Sequence, residues 1–393
     1  MQIIIHRGAH QIGGCCTEIR TGQGSILIDF GDELPAPGQT ARPLDLDGVT
    51  RSTPDCDGVF FTHYHGDHVG QLSHILPGIP LYMGAVAKEI FSLYQQRISA
   101  HHPVATSETL SAIRPLSPLK SVRVKDIKVT PVVVDHSAYD AYMFLIEAEG
   151  KKLLHTGDYR LHGFRGKGVL TALEKYVGQV DLLITEGTTL SRQEQTAVTE
   201  GDVEREAAKV LRENKYVFLL CSSTNIDRLA AFSAAAKQAG RLFICDGYQR
   251  RILDVVTKYS GGHSPLYNFS QTLTYGRNLL PLMAKNGFCM SIRDNKGCRT
   301  ILKAFGSQSL LVYSMWEGYL EWEPGLKELT ESQNHIICHA SGHGAPEQIK
   351  AVCDAVRPRI GVIPIHTDAP ERLSEVCIPW PVIPLNDGTV FEL

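Results

Sequence analysis

Thr62-His63-Tyr64-His65-Gly66-Asp67-His68 is the stretch from which the rest of this chain is read. His63, His65, Asp67 and His68 fall within one short segment, directly behind the apolar run Val59-Phe60-Phe61 and ahead of Gly70. A β-branched and aromatic run that breaks into Gly-punctuated polar sequence predicts a loop at a strand end, where side chains converge. Imidazole and carboxylate packed so densely need a cation to be tolerable away from water. Such donors suit zinc or another borderline divalent ion, and an oxygen-richer position would also accept manganese.

Composition bounds the setting. The 393 residues exceed what one core usually fills, since domains cluster near ~100–150 residues. Hydrophobic residues make up 43% and charged residues 21%, the balance of an ordinary cytosolic enzyme. No apolar run approaches the ~18 residues of a membrane span. The start, Met1–Gly14, reads as a first strand and not a signal peptide, so a cytoplasmic protein with no membrane partner is expected. Ten cysteines are scattered, with Cys15 and Cys16 adjacent and no CxxC pair, which favours reduced, buried thiols over a disulfide set or zinc ribbon. The net charge of −3 supplies no global basic field for a polyanion. Locally, Arg160, Arg165 and Lys167 cluster after one motif, while the run Lys285, Arg293, Lys296, Arg299, Lys303 reads as a solvated face.

Strand-like runs in the first half are Gln2–His6, Ser25–Asp29, Gly58–Thr62, Ile127–Asp135, Tyr142–Ala148, Lys152–Thr156 and Asp181–Thr185, with a helix at Ala85–Ile98. After Thr189 a β-α alternation takes over: helices at Asp202–Asn214, Asn225–Gln238 and Gln249–Tyr259, strands at Tyr216–Cys221, Arg241–Cys245 and Ser309–Met315. Strands Ile336–His339 and Ile360–Ile365, the helix Ala345–Val356 and a last strand pair close the chain.

The HxHxDH segment resembles the signature of the metallo-β-lactamase superfamily. That resemblance implies further ligands at His136 in Asp135-His136-Ser137 and Asp158 in His155-Thr156-Gly157-Asp158-Tyr159. It also makes Asp29, in Leu27-Ile28-Asp29-Phe30-Gly31, the partner that fixes a ligand histidine; a plain strand-end turn residue is the rival reading. His65 stands where the diiron redox branch carries glutamate. Glu186 in Ile184-Thr185-Glu186-Gly187, the segment His339-Ala340-Ser341-Gly342-His343-Gly344, and His366 in Pro364-Ile365-His366-Thr367 are similar to the extra motifs of the nucleic-acid-processing β-CASP branch, and within it to ribonuclease J. The fold so implied is α/β, a metallo-β-lactamase αββα sandwich with an inserted β-CASP α/β domain. Residues 1–190 would begin the first domain, 191–334 form the insertion and 335–393 complete the first domain. Thr367-Asp368 replaces the Gly-Glu pair usual in that family, and Leu393 ends the chain before the family's further C-terminal domain.

By the same resemblance, His63, His65 and His136 hold one of two divalent ions, zinc with manganese as the alternative. Asp67, His68 and His366 hold the other, and Asp158 bridges them. An ionised water between the ions would attack a phosphodiester in line, with Asp67, Asp158, Glu186 and His343 as the catalytic set. His343 would stabilise charge or protonate the leaving oxygen, although a turn or packing role is its plainer reading; Glu186 would orient a ligand or water, or else act as a helix-start acid. Ser341, Gly342 and Gly344 suggest a turn whose amides approach a 5′ phosphate. Ser222, Ser223 and Asn225, ahead of a helix, suggest a second phosphate site or a plain N-cap. The expected activity is that of an RNA nuclease, 5′-to-3′ exonucleolytic, endonucleolytic or both, with RNA or single-stranded DNA as partner and homodimerisation open. The competing reading is a small-substrate metallo-hydrolase of esters, lactones or phosphoesters.

Overall fold

The computed structural model describes every residue except 36–38, 99–103, 193–196 and 261, and the side chain of residue 98. It divides into two compact units. The first comprises Met1–Leu161, Arg165–Gln195 and Gly342–Leu393; the second comprises His162–Phe164 and Thr196–Ser341.

The first unit is built on two sheets. One runs, edge to edge, through Val390–Glu392, Gln2–Arg7, Cys16–Arg20, Ser25–Ile28, Val59–Phe60, Leu81–Gly84 and Arg114–Leu116. The other runs through Gly361–Ile365, Leu182–Glu186, Lys151–His155, Tyr142–Ala148, Ile127–Val133 and Val122–Val124. Ile3, Ile5, Ile26, Ile28 and Phe60 of the first sheet share one buried cluster with Ile127, Phe144, Ile146, Leu153, Ile184 and Ile363 of the second, so the sheets pack face to face. Because successive side chains point to opposite faces of a strand, Leu182 and Ile184 enter that cluster. Leu183 between them packs outward on Leu173, Ile349, Val352 and Val356 from the helical layer. Helix Ala85–Ile98 packs on Leu81–Gly84 and Arg114–Leu116 of the other sheet. The result is the expected αββα sandwich.

The second unit carries a six-stranded, all-parallel sheet in the order Leu273–Thr274, Leu242–Cys245, Phe288–Ile292, Tyr216–Leu220, Ser309–Tyr313 and His335–Ile337. Strand His335–Ile337, read from sequence into the returning part of the first domain, is instead the edge strand here, because it hydrogen-bonds in parallel to Ser309–Tyr313. The last strand pair also differs. Val390–Glu392 pairs with Gln2–Arg7, while Val382 makes only an isolated bridge to Val362. Phe288–Ile292 has no signature in the sequence because all five of its residues are buried between parallel neighbours, and such a strand carries no polar alternation. All ten cysteines are free and buried. Among the described residues, no helix is long and apolar enough to cross a membrane.

The second unit is braced by a buried ion pair. Arg228 reaches Glu200 through Nε and Nη2 at 3.0 and 2.9 Å, and donates to the Ala340 carbonyl at 3.1 Å. Neither side chain of the pair is exposed. Removing one partner leaves the other charge buried, so Glu200→Ala is expected to destabilise the protein by about 3–5 kcal/mol. Chemical denaturation of the two proteins measures this; a loss below about 1 kcal/mol would show that water reaches Arg228.

Candidate metal centre

The centre lies in the first unit, at the ends of strands whose order makes its residues neighbours. Lys151–His155, Leu182–Glu186 and Gly361–Ile365 are adjacent and parallel, pairing His155 with Ile184 and Glu186 with Ile365. Asp158, Glu186 and His366, far apart in sequence, therefore leave the same edge of one sheet. From the other sheet, the strand Val59–Phe60 runs into the one-turn helix Gly66–Val69. The carbonyl of Asp67 accepts from Cys15 N at 3.0 Å and that of His68 from Phe30 N at 2.8 Å, clamping the loop. Gly31 is required at this clamp, since a Cβ there would sit 1.7 Å from the Asp67 carbonyl oxygen. Asp29 and His366 both adopt left-handed backbone, with φ of 62° and 52°, a conformation that costs a non-glycine residue about 1–3 kcal/mol and clusters at functional sites.

Among the described residues four ligand-type groups result: His63, His65 and His136; Asp67, His68, Asp158 and His366; Asp158, Glu186, His343 and His366; and Cys15, His68 and His366, each with donor atoms within 4.8 Å of one another. The histidines are held from behind. The Thr62 hydroxyl lies 2.8 Å from Asp29 Oδ2 and 3.0 Å from His63 Nδ1. Donating to the carboxylate, it accepts from His63 Nδ1, which leaves the lone pair of His63 on Nε2. His136 Nδ1 faces the Gly342 carbonyl at 2.7 Å and must donate, so its Nε2, 3.2 Å from His65 Nδ1, also carries a lone pair. Asp29 Oδ2 holds His68 Nδ1 at 2.8 Å, and the Thr188 hydroxyl lies 2.7 Å from His366 Nδ1.

Electrostatics separates these groups. Burial, with repulsion from neighbouring imidazoles, holds His63 and His136 well below the usual histidine range. Burial brings His65 down to about 4 against the pull of Asp67 and Asp158. All three are therefore neutral, the form in which histidine binds a metal. Burial also disfavours charge on His68, but Asp158, Asp29 and Asp67 outweigh it and push that histidine well up. The carboxylates thus call for positive charge at His68 Nε2, 3.1 Å from Asp158 Oδ2, and either a proton or a divalent cation supplies it. Burial raises Asp29, against the opposing influence of His68 and Thr62. Asp67 and Asp158 are pulled down by the surrounding imidazoles despite burial.

The donor set fits metal. His63 Nε2 and Asp158 Oδ1 are buried and have no hydrogen-bond partner among the described residues, an arrangement that is costly unless a cation takes their lone pairs. One side of the cluster is open: the side chains of Asp67 and His343 are 16% and 22% exposed, whereas those of His68, Asp158 and His366 are at most 2% exposed. His343 Nδ1 is 3.0 Å from Glu186 Oε2, and Glu186 Oε1 accepts from Tyr159 N at 2.9 Å. Burial works against charge on His343, but Glu186 and Asp158 raise its pKa on balance.

The other predicted positions are less uniform. Gly342 and Gly344 lie beside the centre, with their carbonyls accepting from His136 and Thr189. Ser341 belongs to the second unit, where its carbonyl lies 2.9 Å from His162 Nε2. Ser222, Ser223 and Asn225 also lie there. Asn225 caps helix Ile226–Gln238 by accepting from Arg228 N, and Ser223 Oγ accepts from Arg293 at 2.8 Å. Arg160, read as part of a local basic patch, is fully buried against Asp135 at 3.2 Å and offers nothing to a substrate. Arg165 instead donates to the His136 carbonyl at 3.1 Å and stacks 4.5 Å from the Tyr139 ring. Thr62 and Thr188, which seat two of the histidines, were missed as functional residues. Their signal in the sequence is position alone, Thr62 next to His63 and Thr188 two residues after Glu186.

The family described as "Beta-lactamase superfamily domain" matches residues 25–217. The chain is 21% identical over 387 residues to ribonuclease J of Sinorhizobium meliloti, covering 88% of this chain and 64% of that protein. It is 27% identical over 202 residues to a probable RNase MJ4 of Methanocaldococcus jannaschii, covering 48% of this chain and 45% of the relative. A crystal structure of a protein of unknown function from Enterococcus faecalis V583 shares the fold, with a TM-score of 0.80 at 20% identity over 100% of this chain and 99% of that one.

Asp29→Ala removes the group that orients His68 without touching a donor atom. Loss of such a partner typically weakens metal affinity by about 10–100-fold, and that is the expected result of a competitive chelator titration with zinc. Unchanged affinity would show that Thr62 and burial alone hold the ring.

Proposed function

The chain belongs to the metallo-β-lactamase superfamily, in its β-CASP, ribonuclease J-like branch, and from that premise we propose that it is a metal-dependent phosphodiester hydrolase that cleaves RNA. The observation that carries this reading is the convergence of neutral imidazole lone pairs and carboxylates around two buried atoms that have no hydrogen-bond partner among the described residues, His63 Nε2 and Asp158 Oδ1. His63, His65 and His136 would hold one ion; Asp67, His68 and His366 the second; Asp158 would serve both. Imidazole-rich donors favour zinc, with manganese as the alternative. When bound, the ions supply Lewis acidity toward a phosphoryl oxygen and lower the pKa of water at the site.

The chain's own residues do the rest. Asp67 and His343, on the open side, meet the scissile phosphodiester. Water at the site gives up one proton to solvent, its oxygen joins phosphorus in line, the opposite phosphorus–oxygen bond breaks, and the leaving oxygen takes a proton from His343 Nε2. Glu186, held by Tyr159 N, fixes His343 through Nδ1 and keeps it protonated for that task. Gly342 and Gly344 flank His343, and their amides are our candidates for a terminal 5′ phosphate, with Ser341 next in the chain; a 5′-to-3′ direction follows from such a pocket. At Ser222, Ser223 and Asn225 the cap role of Asn225 favours a structural reading over phosphate binding. RNA is favoured as substrate because the ribonuclease J match covers 88% of this chain. We place the enzyme in the cytoplasm, where ten buried free thiols stay reduced.

Cleavage of matched 5′-monophosphate and 5′-hydroxyl RNA by the metal-loaded protein tests the reading. The parent should shorten the monophosphate strand stepwise, and His343→Ala should lose about 10²–10⁴-fold in rate, the range of a general acid. Asp67→Ala should be inactive. Intact RNA and DNA together with turnover of a small ester would replace this reading by that of a small-substrate hydrolase.

A further inference from the structure

Beyond the seven residues assigned to hold metal, one buried donor stands at the same centre without a role. Cys15 lies in the loop between strands Gln2–Arg7 and Cys16–Arg20 and is 3% exposed. Its Sγ, with one ring nitrogen each of His68 and His366, forms a group whose donor atoms lie within 4.8 Å of one another. We propose that Cys15 is a further ligand, as thiolate, of the metal position built by Asp67, His68 and His366, and that this sulfur biases the position toward zinc over manganese. The proposal rests on the reading that the centre binds metal.

The backbone holds Cys15 in place for this. Its N–H donates to the Asp67 carbonyl and its carbonyl accepts from Gly31 N, both at 3.0 Å, so it is tied directly to the loop that carries Asp67 and His68. On the other side Gly8, whose carbonyl accepts from His366 N at 2.7 Å, separates Cys15 from the histidine backbone. A Cβ on Gly8 would lie 3.6 Å from Cys15 Sγ and 3.8 Å from His366 N, and the φ of Gly8 is +108°. Zinc holds sulfur at about 2.3 Å and imidazole nitrogen at about 2.0–2.1 Å, so donors gathered this closely serve one ion after small side-chain adjustments.

Other cysteines have surroundings that explain them. Cys56 Sγ donates to the Gly58 carbonyl at 3.4 Å, and Cys353 Sγ packs 3.3 Å from Cys377 Sγ. Cys15 sits instead among imidazoles and carboxylates, where a small apolar filler contributes little. On metal uptake its S–H bond breaks, the proton passes to solvent and the sulfur lone pair goes to the divalent ion. Thiolate prefers zinc and cobalt to manganese, whereas carboxylate and imidazole discriminate less.

Cobalt(II) loading of the full chain tests the proposal by absorption spectroscopy. The parent should take up cobalt and show a near-ultraviolet thiolate-to-cobalt charge-transfer band. Cys15→Ser should lose that band while keeping visible d–d bands, and Cys16→Ser should keep both. In Cys15→Ser, zinc affinity at one of the two positions should fall by at least the roughly 10–100-fold seen for lost supporting residues, with manganese affinity little changed. Should Cys15→Ser fail to fold, the parent spectrum still decides. Cobalt bound without a charge-transfer band, or a band that survives in Cys15→Ser, overturns the proposal and leaves the metal centre standing. No cobalt uptake overturns both.

Discussion

Carboxylates and imidazoles gathered where water does not reach form the constraint on which the first unit depends. Asp29, Asp158, His63 and His68 are each at most 2% exposed. Two negative groups in such a place are costly without positive charge beside them. His68 carries that charge when protonated, which is why its pKa is raised; a divalent ion carries it better, because it also takes the lone pairs of His63 and Asp158. Gly31 under the Asp67 carbonyl and the left-handed backbone of Asp29 and His366 follow from bringing these groups together. Local strain is accepted there because the cluster requires it.

Topology makes the convergence robust. Parallel pairing places the ends of three neighbouring strands on one edge, so that Asp158, Glu186 and His366 arrive side by side although 208 residues separate the first from the last (366 − 158). The first sheet brings the HxHxDH loop to the same place, and a shared apolar core holds the two sheets together. A shift of one residue in Gly361–Ile365 would exchange its inward and outward side chains and carry His366 away from Asp67, now 3.1 Å apart.

Much of this was legible in the sequence, and what was not has physical causes. The dense histidine segment, the strand-end position of Asp29 and the motif residues His136, Asp158, Glu186, His343 and His366 could be named because imidazole and carboxylate are rare beside apolar runs. Their common location depends on strand order, which no local pattern reveals. Arg160 and Arg165 look alike in sequence, yet one is sealed against Asp135 and the other lies beside His136. Charge runs do not tell which side chains turn inward. Strands such as Phe288–Ile292 and Leu81–Gly84 escaped notice because continuous burial erases alternation. Cys15 was counted with the other thiols, since spacing alone cannot show that a fold places one of them beside two imidazoles.

The most direct test of the account is the metal content of the purified chain, measured by elemental mass spectrometry after dialysis against metal-free buffer and after reconstitution with zinc. About two divalent ions per chain are expected, with His63→Ala retaining close to one. A folded parent that holds none and takes up none when zinc or manganese is offered would contradict it, because the buried carboxylates would then be balanced by protons alone.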